Sequence, residues 1–277
     1  IKKKKDILLF IRKKKFPIIL KPSDGRGSRN VYLLKNRNEL LFIINILKKK
    51  IYNKKFILQE YISGSQFSAE SFVYKKKHTI LISKRNYKSF KFLNPHVIEN
   101  GGTLNSNISL KLKKKIEILI VKISNFLGVI NGPFKVDLVV RNNKIFLLEV
   151  AIRFGGGYVA SKCSKHLVGF NFLKQYLNLI MGKKVNIKEN FKTKICITTR
   201  AIISKKKGII NSIKKNISKQ LKKNLLFIVF NKGKGDYVQP PTSHAERVAF
   251  FSVKAKNQIM ADSVAKKISQ KIKIKII

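Results

Sequence analysis

The stretch Val136-Asp137-Leu138-Val139-Val140-Arg141-Asn142-Asn143-Lys144-Ile145-Phe146-Leu147-Leu148-Glu149-Val150-Ala151-Ile152-Arg153 sets two acids into two apolar runs joined by a pair of asparagines. The runs read as a hairpin, Pro133 to Val140 and Lys144 to Val150, turning at Asn142-Asn143. An uncompensated carboxylate in an apolar strand is costly, so Asp137 and Glu149 require a reason for being there. A three-residue loop, Asn142-Asn143-Lys144, sets them directly opposite one another on one face, with Cβ atoms about 4.5 to 5.5 Å apart; a two-residue loop sends them to opposite faces. Facing carboxylates repel unless a cation lies between them. Magnesium, a hard ion that keeps phosphate oxygens and water in its shell, meets that need. The alternative is that each acid pairs with one of the chain's many lysines. Four residues on, Arg153 shares the face of Glu149 if the strand continues. It is then a fixed cation for a carboxylate or a transferring phosphate, or otherwise a surface arginine entering the turn Gly155-Gly156-Gly157.

Working outward, Pro17 to Lys21 reads as a short buried strand, Ser23 to Asn30 as a polar turn, and Val31 to Leu34 as a second strand. Small residues in Lys21-Pro22-Ser23-Asp24-Gly25-Arg26-Gly27-Ser28 let backbone N–H groups approach a phosphate, and the basic side chains add charge. The GxxxxGK[ST] order of a Walker A loop is absent, and an ordinary polar hairpin loop is the alternative. Glu39 to Leu47 has helical spacing, with Lys48 to Lys50 at its negative end. Phe56 to Ile62, Gln66 to Tyr74 and His78 to Lys84 read as successive strands. In the middle one Gln66, Ser68 and Glu70 share a face, which predicts Glu70 at a polar cleft. A helix over Leu110 to Leu127 stops at Gly128. Another is expected from the glycine turn through Met181. Strands at Ile195 to Ile203 and Leu225 to Phe230, a helix near Gln258 to Gln270 and a strand at Ile272 to Ile276 complete an α+β pattern with a C-terminal lobe from Lys194.

The chain has 277 residues, 44% of them hydrophobic, enough to bury a core. Its formal charge of +48, from 61 Lys+Arg against 13 Asp+Glu, would ordinarily point to a polyanionic partner. The excess is mostly lysine and accompanies abundant Ile, Asn and Phe, all with AT-rich codons. Nucleotide drift therefore accounts for runs such as Lys2 to Lys5, Lys75 to Lys77 and Lys205 to Lys207. The lysines are scattered rather than interleaved with aromatics on one strand face, so a specific nucleic-acid surface is not expected. Cys163 and Cys196 suit a core in a reducing compartment. No apolar run reaches the roughly 18 residues of a membrane span. A cytoplasmic protein is expected, and an oligomer is compatible with the sequence. His78, His166 and His244 have no metal-like spacing and receive no role.

Taken in order, the Lys-Pro-Ser loop, Leu58-Gln59-Glu60-Tyr61-Ile62-Ser63-Gly64, Ser68-Ala69-Glu70, the strand to Asp137 and Glu149-Val150-Ala151-Ile152-Arg153-Phe154-Gly155-Gly156 resemble the ATP-grasp superfamily. The nearest branch contains biotin carboxylase, carbamoyl-phosphate synthetase and the dipeptide-forming amino-acid ligases. The strongest element is the spacing of 12 between the two acids with arginine four residues on. The resemblance implies an ATP-grasp fold holding the nucleotide between two α+β subdomains, residues 1–62 and 63–193, with a small closing lobe at 194–277. It implies that Lys21 and the loop with Ser23, Gly25, Gly27 and Ser28 contact ATP phosphates. Glu60, Tyr61 and Ile62 would form the adenine hinge, with Glu70 also in the cleft. Asp137 and Glu149 would hold magnesium, or manganese in its place.

By the same resemblance Arg153 is the catalytic cation, and Arg153, Gly155, Gly156 and Arg247 meet substrate. The implied function is a ligase that activates a small carboxylate as an acyl phosphate for attack by an amine. Its rivals are a carboxylase-type enzyme activating bicarbonate, and a basic or non-catalytic binding protein. Two departures stand out. Ala151 occupies a position where many relatives place a third metal ligand, and relatives carry an upstream domain with a further lysine, so a fragment lacking its natural beginning is expected.

Overall fold

The computed structural model describes residues 7, 9–11, 15–47 and 55–277, so the expected role of Lys48 to Lys50 at a helix end lies outside the described residues. Strand β1 (Ile18–Pro22), β2 (Tyr32–Leu34), helix α1 (Arg37–Ile46) and β3 (Phe56–Glu60) form a small antiparallel unit in the order β2-β1-β3. Asn36 caps α1 by accepting from the Glu39 amide, and Leu40 and Ile43 bury its inner face over Ile18, Leu20 and Leu34.

The chain then enters β4 (Ser65–Tyr74), β5 (Lys77–Arg85), β6 (Gly102–Leu104), helix α2 (Leu110–Phe126), β7 (Gly132–Arg141) and β8 (Lys144–Ala151). Ile116 and Ile120 of α2 pack on Phe67, Ala69, Phe134, Val136 and Leu138, the odd residues of β4 and the even ones of β7. Strand period two therefore turns Ser68, Glu70, Lys135 and Asp137 to the other face. That face carries the cleft.

After β8 a single helix through Met181 was expected. Instead a π-turn at Val159–Cys163 leads into α3 (Ser164–Val168), Gly169 takes a left-handed φ of 91°, and α4 (Phe172–Ile180) starts afresh from an Asn171 cap. The remaining elements are β9 (Cys196–Ile202), β10 (Gly208–Lys215), α5 (Lys219–Lys222), β11 (Leu225–Phe230), β12 (Tyr237–Val238), β13 (Ala249–Ala255), α6 (Gln258–Lys271) and β14 (Ile272–Ile276). Strands β6, β10, β12 and β13 are absent from the sequence reading.

Residues 194–277, expected as a closing lobe, are continuous with the centre of the molecule. Strands β11, β13 and β9 extend one eight-stranded antiparallel sheet, β11-β13-β9-β6-β5-β4-β7-β8, through the pairing of Thr103 with Thr198. Only β12-β10-β14 forms a separate sheet there. No helix among the described residues is long and apolar enough to cross a membrane. Both cysteines are free and buried, and burial pushes the Cys163 thiol up to about 12, as inert core residues require.

Candidate active site

The β7–β8 hairpin turns through two residues, Asn142 and Asn143, with φ of 50° and 58°, closed by Arg141 opposite Lys144. Of the two loop lengths weighed from sequence, the two-residue one is formed. An unbroken two-residue register would put Glu149 opposite Val136, on the far face. The register instead shifts: Leu138 faces Leu147 and Asp137 faces Glu149, leaving Leu148 as the extra residue of a β-bulge. The bulge restores the opposition that the wrong loop length was invoked to explain. Lys21 Nζ lies 3.5 Å from the carbonyl oxygen of Leu148, so the β1 lysine reaches the hairpin between its two acids.

Each acid holds a cation. Lys135, two residues before Asp137 and hence on the same face, is buried and donates a short bond to Asp137 Oδ2. Burial works against the Asp137 charge, but Lys135 and Arg85 outweigh it and hold the carboxyl below its usual range. Its other oxygen, Oδ1, is buried with no partner. Arg153 Nη2 stands 3.5 Å from Glu149, which is half exposed. Opposed carboxylates fit a magnesium ion whose remaining shell is phosphate and water. Among the described residues no group of three or more His, Cys, Asp or Glu converges.

These groups open on a cleft of about 1620 Å³ between the small sheet and the large one. Lys21, Ser23, Gly25, Gly27, Ser28, Glu60, Tyr61, Ile62, Asp137, Glu149, Arg153, Gly156 and Arg247 all line it. Glu70 and Gly155 do not. Glu70 sits beneath the floor, buried, accepting the Gly155 amide at 3.0 Å, and a side chain at 155 would collide with its carboxylate at 2.4 Å. Gly155 is thus a close approach between loop and strand, and burial raises Glu70 above the usual carboxylate range. The loop residues Gly27 and Ser28 have φ of 61° and 56° and meet His244 of the C-terminal segment.

Of the far wall only Arg247 was read from sequence. Glu99 bridges Arg85, at 3.2 Å, and Arg247, at 3.5 Å, and the Arg247 guanidinium also donates to the Glu99 carbonyl. Beside them Arg200 pairs with Asp262 at 2.7 Å, braced by Thr198. Lys135 was findable, because its position two before Asp137 in a strand fixes its face. Glu99, Arg85, Arg200 and Asp262 come from distant segments and gave no local signal.

A family model described as an ATP-grasp domain matches residues 14–161. Over 103 residues the chain is 29% identical to tyramine–L-glutamate ligase of Methanocaldococcus jannaschii, covering 37% of this chain and 30% of that enzyme. The chain thus spans under a third of that curated relative's length. An L-amino acid ligase from Bacillus licheniformis superposes with a TM-score of 0.83 over 98% of this chain and 67% of its own, at 15% identity. Phosphoribosylglycinamide synthetase from Anaerococcus prevotii gives 0.70 over 100% of this chain and 68% of its own, at 18% identity.

Proposed function

This chain belongs to the ATP-grasp domain family, and from that premise we propose that it is the nucleotide-binding and catalytic part of a carboxylate–amine ligase acting on small molecules in the cytoplasm. The observation that carries the reading is the direct opposition of Asp137 and Glu149, held by a bulge whose carbonyl meets Lys21. Bound there, magnesium or manganese would neutralise and orient the polyphosphate. The chain's own groups do the rest by position and charge. Lys21 and the small residues of the 23–28 loop face the phosphates, while backbone groups of Glu60 to Ile62 meet the adenine edge. Lys135 and Arg153, each resting on a carboxylate, lie on the path of the transferring phosphoryl group. Arg85 and Arg247, locked by Glu99, form the wall at which a substrate carboxylate docks. That carboxylate attacks the terminal phosphate, forming the acyl phosphate and releasing ADP; an amine then displaces phosphate.

The test is ADP release by the full protein, dependent on magnesium and on both an added carboxylate and an added amine. Glu149→Gln should lower the rate at least about a hundredfold, as loss of a group that positions transition-state charge does. ADP release that needs bicarbonate instead of a carboxylate and an amine, or a Glu149→Gln enzyme of full activity, would overturn the assignment.

A further inference from the structure

His244 is the one side chain among the described residues that hydrogen-bonds the phosphate-facing loop from across the cleft. Its backbone N–H donates to the Gly27 carbonyl at 2.9 Å. Ring Nε2 lies 3.1 Å from Ser28 Oγ and 3.4 Å from the Glu99 amide nitrogen. A backbone amide can only donate, so Nε2 is the acceptor and the Ser28 hydroxyl gives its proton to the same nitrogen. A charged imidazolium could not accept there. The ring stays neutral: burial, then Arg247, Arg85 and Lys135, drives its pKa well below the ordinary value. His244 thus connects three places. These are the loop that faces the phosphates, the backbone of the acid that locks Arg85 and Arg247, and the segment that carries Arg247 itself.

We propose that His244 is a positioning residue that clamps residues 23–30 closed over the nucleotide and ties their position to the acceptor wall at Glu99. The inference rests on the cleft being a nucleotide site. Two left-handed residues at the loop tip, Gly27 and Ser28, store a shape that few contacts enforce; with the clamp removed, the loop samples open conformers and closure over the phosphates carries an added entropic cost. A purely structural histidine would instead loosen the strand framework around β13.

The measurement is backbone hydrogen–deuterium exchange of residues 23–30 in the complete protein without nucleotide, with β4 amides as the control for an intact fold. His244→Phe, which keeps a ring but no acceptor, should speed exchange of the loop about tenfold, the size expected for losing one buried hydrogen bond. Ser28→Ala, which retains a Cβ at the same φ, should do likewise, and the double variant should add nothing. His244→Gln, whose amide oxygen can reach the hydroxyl, should restore much of the protection. In turnover, KM for MgATP should rise about tenfold in His244→Phe with a smaller change in kcat. Unchanged loop exchange in both single variants, or strictly additive effects of the two, would overturn the clamp. An unmutated protein that neither binds nor consumes MgATP would refute the nucleotide reading while the exchange result still decides whether His244 holds the loop.

Discussion

On the proposed reading Lys135 and magnesium compete for Asp137, and this competition is measurable. In the structure the carboxylate is neutralised by a buried lysine from its own strand while its second oxygen waits unpaired. Lys135→Ala should cost about 2 kcal/mol without metal, less than the 3–5 of a fully buried pair because the Asp137 side chain keeps some solvent contact. Magnesium should then raise the melting temperature of Lys135→Ala more than that of the unmutated protein, since the ion takes over a vacated partner. Equal metal-induced shifts would show that the ion does not meet Asp137. Glu70 makes the complementary case. Its folded pKa is raised by burial, so its contribution to stability is present below the ordinary carboxylate range and lost as pH rises through the raised value. Glu70→Gln, neutral at every pH, should therefore gain stability relative to the parent on going from pH 5 to pH 8. Thermal melts at the two values check the sign. At this scale sequence reading put Glu60, Asp137 and Glu149 at the cleft that they line, because 13 carboxylates among 277 residues make each one informative, but it misplaced Glu70 and passed over Glu99 and Asp262. It missed Lys135 because one more lysine in so basic a chain does not stand out by composition, although strand period two puts it on the face of Asp137.

Among the elements, the hairpin shows what periodicity can and cannot disclose. Alternation over β4 separated the polar face of Gln66, Ser68 and Glu70 from the apolar one that α2 covers, whereas the pairing of Asp137 with Glu149 was reached through a loop length that the hairpin does not have. The bulge was invisible, because it falls between two leucines that differ in nothing but position. Removing Leu148 should leave a regular two-residue hairpin in which Asp137 still faces Glu149, so magnesium-dependent ATP binding should persist within about tenfold, the change of about 1.4 kcal/mol expected from losing the Lys21 contact. Inserting one alanine between Leu148 and Glu149 should turn Glu149 to the other face and abolish that dependence. Calorimetric titration of both variants with MgATP tests the pair of outcomes. The break at Gly169 escaped notice for a related reason: a glycine within an apolar helical pattern does not announce whether it will be tolerated or will end the helix.

For the whole molecule, the question is whether a charge of +48 governs what binds. Contacts through scattered lysines release counterions and weaken steeply with salt, whereas a cleft that reads adenine by directional bonds and uses metal-bridged carboxylates should discriminate. At about 150 mM salt MgATP should outcompete MgGTP, while binding to an arbitrary RNA should have fallen by orders of magnitude from its low-salt value. Competition binding at two salt concentrations measures both. The continuous sheet hid from sequence reading because β6 and β9 meet across more than 90 residues through just two pairs, Thr103 with Thr198 and Leu104 with Ile197. The cleft lining holds one more consequence. Among the described residues six of eight arginines, Arg26, Arg29, Arg85, Arg153, Arg200 and Arg247, border the cleft, whereas of 42 lysines only Lys21, Lys84, Lys88, Lys91 and Lys135 do so. Where arginine is this scarce, its concentration at the cleft marks positions at which a planar, forked cation does what an ammonium cannot.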